Sequence, residues 1–296
     1  MKIAITGASG FIGSELSSCK DIDYSISRNV INVKKNNEKL NFNSLDDLDD
    51  ILYDCDVLIH LAGLAHREFS EEEYNQNIIY SSKVATLAFK NGIKRFIYVS
   101  STSVYGNINT KSNIIDEHHL CQPITLAAKC KLETENRLRL IANQFSKELL
   151  IVRSPLVYGK NAPASINFLS CLVKRFPILP FGLCNSKRDY IFVDNLCDLL
   201  IELAKSDTVS GNLILASDLN PLSMNELTSE IAKGLNKHLY NIPIPRFVLN
   251  FILKLIGKSS YSNQIYGQMI LDKTKLKEEL NWVPPYTVQQ AMKKLR

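Results

Sequence analysis

The sequence predicts an α/β protein, with a Rossmann-type doubly wound parallel sheet and a smaller C-terminal substrate domain. A glycine-rich turn directly follows the first apolar run, and short β-branched runs then alternate with helical patterns. Beyond Tyr158-Gly159, prolines interrupt shorter elements. We therefore place a first domain at residues 1–160 and a second at residues 161–296, with the chain returning to the first domain near residues 191–206.

The first element is the apolar run of residues 3–5, which leads into the sequence TGASGFIG. Gly7 can take the positive φ of a tight turn, Gly10 leaves room for a pyrophosphate, and Gly13 lets a helix lie close to the strand. Free amides at the start of that helix would face the phosphates. The pattern predicts a dinucleotide cradle, and its expected contacts are Gly7, Ser9, Gly10, Phe11, Ile12 and Gly13.

The following elements alternate as a parallel sheet covered on both faces requires. Inner strands are expected at residues 24–27, 57–61, 95–99 and 149–152, and helices near residues 45–53, 74–91 and 129–145. Asn91-Gly92 should end the second of these helices. In the second domain, Asp194 and Asn195 should cap a helix over residues 196–205. Ligands of such sheets bind at the carboxyl ends of the strands.

Composition is that of a globular enzyme, with 45% hydrophobic and 22% charged residues. The net charge of +5 comes from scattered lysines without interleaved aromatic residues, so we expect no nucleic-acid partner. The seven cysteines form no Cys-x-x-Cys pair and have no metal-ligand spacing, which predicts reduced thiols, a cytoplasmic location and no metal. No apolar run approaches the roughly 18 residues of a membrane span, so we expect no membrane partner.

Six segments together resemble the extended short-chain dehydrogenase/reductases, the NAD-dependent epimerase/dehydratase family that acts on nucleotide sugars. They are TGASGFIG, DVLIHLAG at 56–63, YVSSTSVYG at 98–106, KLETE at 131–135, RSPLVYG at 153–159 and RDYIFVDNL at 188–196. The chain is most similar to bacterial UDP-glucose or UDP-N-acetylglucosamine 4-epimerases, and equally to UDP-4-keto-6-deoxy-hexosamine 4-reductases of surface polysaccharide synthesis. The resemblance implies hydride transfer at sugar C4, an NAD(P) cofactor, a UDP-sugar substrate and a homodimer.

The resemblance also implies roles for the residues at the strand ends. Ser101 matches the family hydroxyl that bonds the reacting sugar oxygen, with Thr102 beside it. Lys131 matches the lysine that bonds the nicotinamide ribose and lowers the pKa of a catalytic tyrosine. That tyrosine belongs four residues earlier, where this chain has Ala127.

Alanine has no proton to exchange with a sugar hydroxyl, and acid-base catalysis contributes roughly 10²- to 10⁴-fold. Ala127 is therefore expected to impair the redox step. It indicates either a substitution introduced to inactivate the protein or a natural chain that has lost catalysis or moved it elsewhere. A non-catalytic protein that binds NAD(P) or a nucleotide sugar is the alternative function.

The end of the second predicted strand favours NADP(H) over NAD, because Ser27 and Arg28 suit a 2′-phosphate. By resemblance, Asn41 and Phe42 stand where the family contacts adenine, and Leu61, Ala62 and Gly63 where the dinucleotide passes the backbone. His60 and His66 are expected to be packed or loop histidines.

The second domain should hold the nucleoside diphosphate. Arg188 matches the family arginine that pairs with it, and a guanidinium suits that role better than an ammonium. The residues expected to line a uridine pocket are Asn167, Phe168, Pro180, Phe181 and Gly182.

Overall fold

A large mixed sheet forms the centre of the molecule in the computed structural model. The structure describes residues 1–27, 30–33, 38–41, 48–64, 69–107, 114–163, 165–207, 211–255 and 261–295. The strands of this sheet are β1 (Ile3–Thr6), β2 (Tyr24–Ile26), β3 (Val30–Val33), β4 (Glu38–Asn41), β5 (Val57–His60), β6 (Arg95–Ser101), β7 (Glu148–Ser154) and β11 (Leu213–Leu215).

The strand order is β11-β7-β6-β5-β1-β2-β3-β4. The six strands from β11 to β2 are parallel, whereas β3 and β4 extend the edge as antiparallel strands. The parallel strands are almost continuously buried, as expected for a sheet with helices on both faces. The predicted Rossmann-type architecture and its four inner strands are confirmed.

Helices cover both faces of the sheet. They are α1 (Phe11–Ser17), α2 (Asp49–Tyr53), α3 (Glu71–Lys90), α4 (Leu126–Phe145) and α6 (Val193–Lys205). Helices α1 and α6 share one apolar core, while α2, α3 and α4 pack into the other. Helix α3 ends at Asn91-Gly92, where Gly92 has φ +94°, as predicted.

The C-terminal half contributes shorter elements. These are α5 (Ser165–Arg175), α7 (Met224–Gly234), α8 (Arg246–Leu255), α9 (Tyr261–Tyr266) and α10 (Val288–Lys293), with the strand pairs β8 (Leu156–Tyr158) and β10 (Tyr190–Phe192), and β9 (Ile178–Leu179) and β12 (Tyr240–Asn241). The chain crosses back to the large sheet, because α6 packs against α1 and β11 pairs with β7.

The predicted start of α6 was wrong. The helix begins at Val193, three residues early, and has no side-chain cap. The carboxylate of Asp218 instead accepts from the backbone N–H of Phe192 and from Nδ2 of Asn195, and the Asp194 carboxylate binds Lys294 Nζ at 2.6 Å. Asn195 therefore ties the helix to a distant strand end and does not cap it.

Candidate functional site

The turn between β1 and α1 forms a shallow backbone cradle. Gly7 has φ +77°, and a Cβ there would lie 2.7 Å from the backbone nitrogen of Ala62. The N–H of Gly10 donates to the Gly7 carbonyl at 2.9 Å, and helix α1 begins at Phe11 without a side-chain cap. A Cβ on Gly13 would overlap the Gly7 carbonyl. Gly7 and Gly13 are thus required by the close approach of backbone to backbone, a Cβ on Gly10 would lie 3.3 Å from the Gly7 carbonyl oxygen, and the helix amides face the turn.

The carboxyl end of β5 runs beside this cradle. Leu61 and Ala62 follow the strand and are half-buried, and Gly63 is exposed. Ser9 is exposed at the tip of the turn, and Phe11 and Ile12 pack partly on the core of α1 and α6. The surface between residues 7–13 and residues 61–63, called here the groove, has glycine and alanine along both sides, so a dinucleotide backbone could lie close to the main chain there.

The region expected to choose between NAD and NADP lies at the end of β2. Ser27 bonds within its own turn, because its N–H and its hydroxyl both donate to the Val30 carbonyl, at 2.8 and 2.9 Å. Asn41 ends β4 directly opposite Val30. Arg28 and Phe42 lie outside the described residues, so the preference for NADP(H) stays a prediction.

Lys131 lies inward from Gly63, on the second turn of α4. Its Nζ donates to the Val99 carbonyl at 3.0 Å, lies 4.9 Å from the centre of the Tyr98 ring, and is 3.6 Å from the position of a Cβ on Gly63. Burial lowers the pKa of Lys131 to about 8. Burial therefore makes the amine easier to deprotonate than an exposed lysine.

Ser101 and Ala127 lie at opposing element ends. Ser101 ends β6, and its hydroxyl accepts from the backbone N–H of Ser103 at 3.1 Å. Ala127 is exposed in the first turn of α4, one turn before Lys131, and Thr125 caps that helix by accepting from the Ala128 N–H. Position 127 thus presents a methyl group one turn before Lys131, and the family arrangement of Ser101, position 127 and Lys131 stays a prediction.

A buried ion pair fixes α4 against the sheet behind these residues. Arg153 donates to both carboxylate oxygens of Glu135, at 3.1 and 2.6 Å, and the Ser100 hydroxyl donates to the same carboxylate at 2.5 Å. The guanidinium also lies 4.8 Å from the centre of the Tyr105 ring. Tyr105 donates its hydroxyl to the Asp116 carbonyl, and burial raises its pKa to about 12, so it is no substitute for the missing phenol.

A cavity of about 470 Å³ opens beside Ser101. Its lining includes Ser101, Thr102, Ser103, Thr125, Ile166, Leu169, Arg188, Tyr190, Met224, Leu227 and Met269. Arg188 donates to the Gly267 carbonyl at 3.0 Å, and burial lowers its pKa. The cavity therefore joins hydroxyls from the sheet end to a guanidinium from the second half, with apolar walls between them.

The other residues expected at the uridine are not among those that line this cavity. Asn167 and Phe168 are exposed on α5, where their neighbours Ile166 and Leu169 face the cavity. Phe181 is buried in the core, and Gly182 is packed against Asn241 and Ile242. Pro180, beside them, is half-buried. A uridine contact by these residues stays a prediction.

Sequence reasoning missed one polar residue of the groove, Asn77 on α3. Its side-chain oxygen lies 3.8 Å from the position of a Cβ on Gly63, and its Nδ2 lies 4.0 Å from Cys130 Sγ. The side chain therefore shares the surroundings of the Lys131 amine. The lone asparagine gave no signal in the sequence, because only the packing of α3 on α4 brings it to the groove.

His60 is packed, as expected. Its Nδ1 lies 2.7 Å from Thr6 Oγ1 and its Nε2 lies 3.1 Å from Ser81 Oγ, and burial lowers its pKa to about 3. It is therefore a neutral structural side chain. His66 lies outside the described residues.

Among the described residues, no group of three or more His, Cys, Asp or Glu side chains could hold a metal ion. No helix in the described part of the chain is long and apolar enough to cross a membrane.

The chain is similar to known proteins along nearly its whole length. The model of the "NAD dependent epimerase/dehydratase family" matches residues 3–214. The UDP-glucose 4-epimerase of Vibrio cholerae is 29% identical, over 98% of this chain and 93% of the relative. The N-acetyl-α-D-glucosaminyl-diphospho-ditrans,octacis-undecaprenol 4-epimerase of Escherichia coli O157:H7 is 24% identical, over 98% and 92%. The crystal structure of a Bacillus cereus UDP-glucuronic acid 4-epimerase with NAD superposes with a TM-score of 0.73 at 19% identity, covering 99% and 94%.

Proposed function

The chain belongs to the NAD-dependent epimerase/dehydratase family, and on that basis we propose that it binds NAD(P) and a UDP-sugar for hydride transfer at sugar C4. The observation that carries the proposal is the cavity at the carboxyl end of the sheet, which is lined by both Ser101 and Arg188. The groove that ends at Lys131 lies beside it. The V. cholerae relative, a UDP-glucose 4-epimerase, supports this substrate class.

The cofactor groove fits a dinucleotide by its shape. We propose that the pyrophosphate lies against the backbone amides at the start of α1, which Gly7 and Gly10 leave open, and that Lys131 bonds the nicotinamide ribose. Bound there, the nicotinamide would accept or supply the hydride. We propose NADP(H) over NAD because of Ser27 and Arg28.

The sugar nucleotide would lie across the cavity. Arg188 would pair with the diphosphate, since a planar guanidinium offers two parallel donors. The Ser101 hydroxyl would bond the sugar oxygen that changes between alcohol and ketone, and the Thr102 hydroxyl lies beside it. Apolar walls from α5 and α7 would exclude water from the reacting carbon.

The residue at position 127 should determine the rate of turnover at sugar C4. Thr125, two residues earlier, lines the cavity, and Lys131 lies one turn later on the same face of α4. We propose that a phenol at position 127 would reach the sugar cavity and be tuned by the Lys131 amine. With alanine there, we expect binding with weak turnover.

The second candidate function, a non-catalytic NAD(P) or nucleotide-sugar binding protein, is favoured by Ala127 alone. Between the active forms, a 4-epimerase returns the hydride to the same sugar, whereas a 4-reductase consumes NAD(P)H. Both fit a step in surface polysaccharide precursor synthesis. We further propose a cytosolic homodimer that pairs through α3 and α4; the free thiols of all seven cysteines fit that compartment.

The test is the substitution Ala127→Tyr, with Ala127→Phe as the matched control that adds the ring without the hydroxyl. Ala127 is exposed, so a ring there adds no overlap with the core. Ala127→Tyr should raise C4 turnover by roughly 10²- to 10⁴-fold and Ala127→Phe should not. Epimer ratios with UDP-glucose and UDP-N-acetylglucosamine report epimerisation, and NAD(P)H absorbance with a UDP-4-keto sugar reports reduction.

Binding is tested separately from turnover. UDP-hexoses and UDP-N-acetylhexosamines should raise the Tm of the unsubstituted chain by mass action, and Arg188→Ala should remove most of that shift. If Ala127→Tyr stays inert with both substrate types while the UDP-sugars still bind, the non-catalytic function is the better account. A Tm shift that survives Arg188→Ala would place the diphosphate elsewhere.

A further inference from the structure

An exposed apolar stripe runs along α8, on the second half of the chain. Phe247, Phe251 and Leu255 follow one another at four-residue spacing and are 75%, 63% and 70% exposed. The opposite face of the same helix carries Leu249 and Leu253, which are buried. The helix thus already has its core-facing side, and the stripe is a second apolar face turned to solvent.

The chain leading into α8 extends this apolar surface. Tyr240 of β12 pairs with Ile178 of β9, and both side chains are exposed. Ile242 and Phe176, next to these strands, are also exposed. Isolated exposed apolar residues are ordinary, but three at four-residue spacing along one helix, with further exposed apolar residues in the strand pair that precedes it in the chain, indicate a contact surface.

The charge around the surface is of one sign. The sequence has no Asp or Glu between Glu148 and Asp189, nor between Glu230 and Asp272. These two segments supply β9, β12 and α8, and their exposed basic residues include Lys174, Arg175, Lys237, Arg246 and Lys254. On the preceding helix α7, Glu226 pairs with Lys187 and Glu230 pairs with Lys233. On α8 itself the charged residues are Arg246 and Lys254, both exposed, so the helix that carries the stripe is basic although the whole chain is only weakly basic.

We propose that this surface, called here the α8 face, binds the surface of an anionic phospholipid bilayer. Exposed Phe and Leu side chains beside Lys and Arg are the features of a helix that lies in a membrane interface, where apolar groups enter the acyl boundary and basic groups meet anionic headgroups. A second copy of the chain would bring the same basic residues together, which disfavours it as the occupant. Such a contact needs no spanning helix, and it revises the expectation that the chain has no membrane partner.

The α8 face is linked to the proposed sugar cavity through α5. Ile166 and Leu169, near the start of α5, line the cavity, and the helix ends at Arg175 beside the exposed Phe176. Docking on this side would place the cavity in the half of the molecule that meets the bilayer. The inference goes beyond the proposed function and does not depend on it, because lipid binding requires neither cofactor nor sugar.

The test is cosedimentation of the full chain with vesicles of phosphatidylethanolamine and phosphatidylglycerol at a ratio of about 3:1, compared with phosphatidylcholine vesicles. We expect partitioning at least about tenfold stronger to the anionic vesicles, weakening as salt rises from about 50 to about 500 mM. The double variant Phe247→Ser/Phe251→Ser should lower partitioning at least about tenfold. The matched control is Tyr53→Ser/Val283→Ser, which changes two equally exposed apolar residues outside the α8 face and should bind as the unsubstituted chain does.

Lys254→Glu is a second variant that changes no apolar side chain, and it should also weaken binding to the anionic vesicles. The proposal is overturned if the unsubstituted chain does not bind anionic vesicles, or if the stripe and control variants bind equally. It is likewise overturned if the stripe variant changes only the oligomeric state measured by light scattering, which would assign the α8 face to a second copy of the chain.

Discussion

Gly7→Ala tests whether the β1-α1 turn has the shape required to bind a dinucleotide. The added Cβ would lie 2.7 Å from the nitrogen and 2.9 Å from the Cα of Ala62, and 2.9 Å from the carbonyl carbon of Leu61. All three are backbone atoms, so no side chain can rotate to make room. Gly7 also has φ +77°, which an alanine adopts only with strain.

The two effects can be separated in magnitude. A positive φ costs about 1 kcal/mol for alanine, and displacing packed backbone adds about 1–3 kcal/mol. The free energy of unfolding should fall by about 2–4 kcal/mol in total. Since 1 kcal/mol corresponds to about 2 °C for a chain of this size, Tm should fall by about 4–8 °C.

Gly92→Ala is the matched control. Gly92 has φ +94°, but no heavy atom lies within 4 Å of the position of its Cβ. The substitution therefore has the conformational cost without the overlap, and it should lower Tm by only about 2 °C. Gly92 lies at the end of α3, in the turn before β6, at the amino ends of the parallel strands, whereas the cradle lies at their carboxyl ends.

The assay is thermal unfolding with and without NAD(P)H. A ligand at about 100 times its Kd stabilises the chain that binds it by about 2.7 kcal/mol. The unsubstituted chain and Gly92→Ala should show the same ligand shift, and Gly7→Ala should lose most of it, because Ala62 forms the groove wall. Equal ligand shifts in all three proteins would refute the cradle, and equal losses of Tm in the two variants would refute the overlap.

Two further predictions concern buried groups. Glu135→Gln should lower the free energy of unfolding by about 3 kcal/mol in urea titrations, because it leaves the Arg153 guanidinium buried without its charge partner. The control Glu133→Gln, which breaks the exposed pair of Glu133 and Arg137, should change the free energy of unfolding by less than about 0.5 kcal/mol. The pKa of His60 is about 3 in the folded state, against an ordinary value of 6.5. Below pH 6.5 the unfolded chain therefore binds a proton at His60 that the folded chain does not, so the free energy of unfolding falls as the pH drops. His60→Gln should therefore reduce the stability lost between pH 7 and pH 5 by about 2 kcal/mol, and an unchanged loss would contradict this assignment.

The fold could be predicted where its signals are local. A buried strand, a glycine turn and a helix start follow one another at residues 3–13, and the structure has them there. The start of α6 could not be predicted, because the carboxylate of Asp218 binds the N–H of Phe192 across 26 residues of chain. Asp194 and Asn195 suggested a local side-chain cap at the start of the helix, but the bond from the Phe192 N–H to Asp218 takes the place of such a cap.

The site could be predicted in part for the same reason. Ser101 and Lys131 belong to contiguous motifs, so the sequence could indicate them. The walls of the cavity depend on which side of α5 faces it, and a rotation by about one residue decides that Ile166 and Leu169 line the cavity and that Asn167 and Phe168 do not. The buried pair behind the site was also invisible in the sequence. It requires the register of β6 on β7, which sets Ser100 opposite Arg153.

The stability of the fold gives no reason for a lysine at position 131. Glu135, one turn later, is part of a buried ion pair that joins α4 to β7, so its place on the helix has a structural reason. Among the described residues, no carboxylate forms an ion pair with the Lys131 amine; its bond is to the Val99 carbonyl, and burial lowers its pKa to about 8, which means that the fold disfavours the charge. A methionine at this position would fill similar space without a charge to bury. We therefore propose that the Lys131 amine, placed between Gly63 and the end of β6, serves a ligand, whether or not residue 127 supplies a proton.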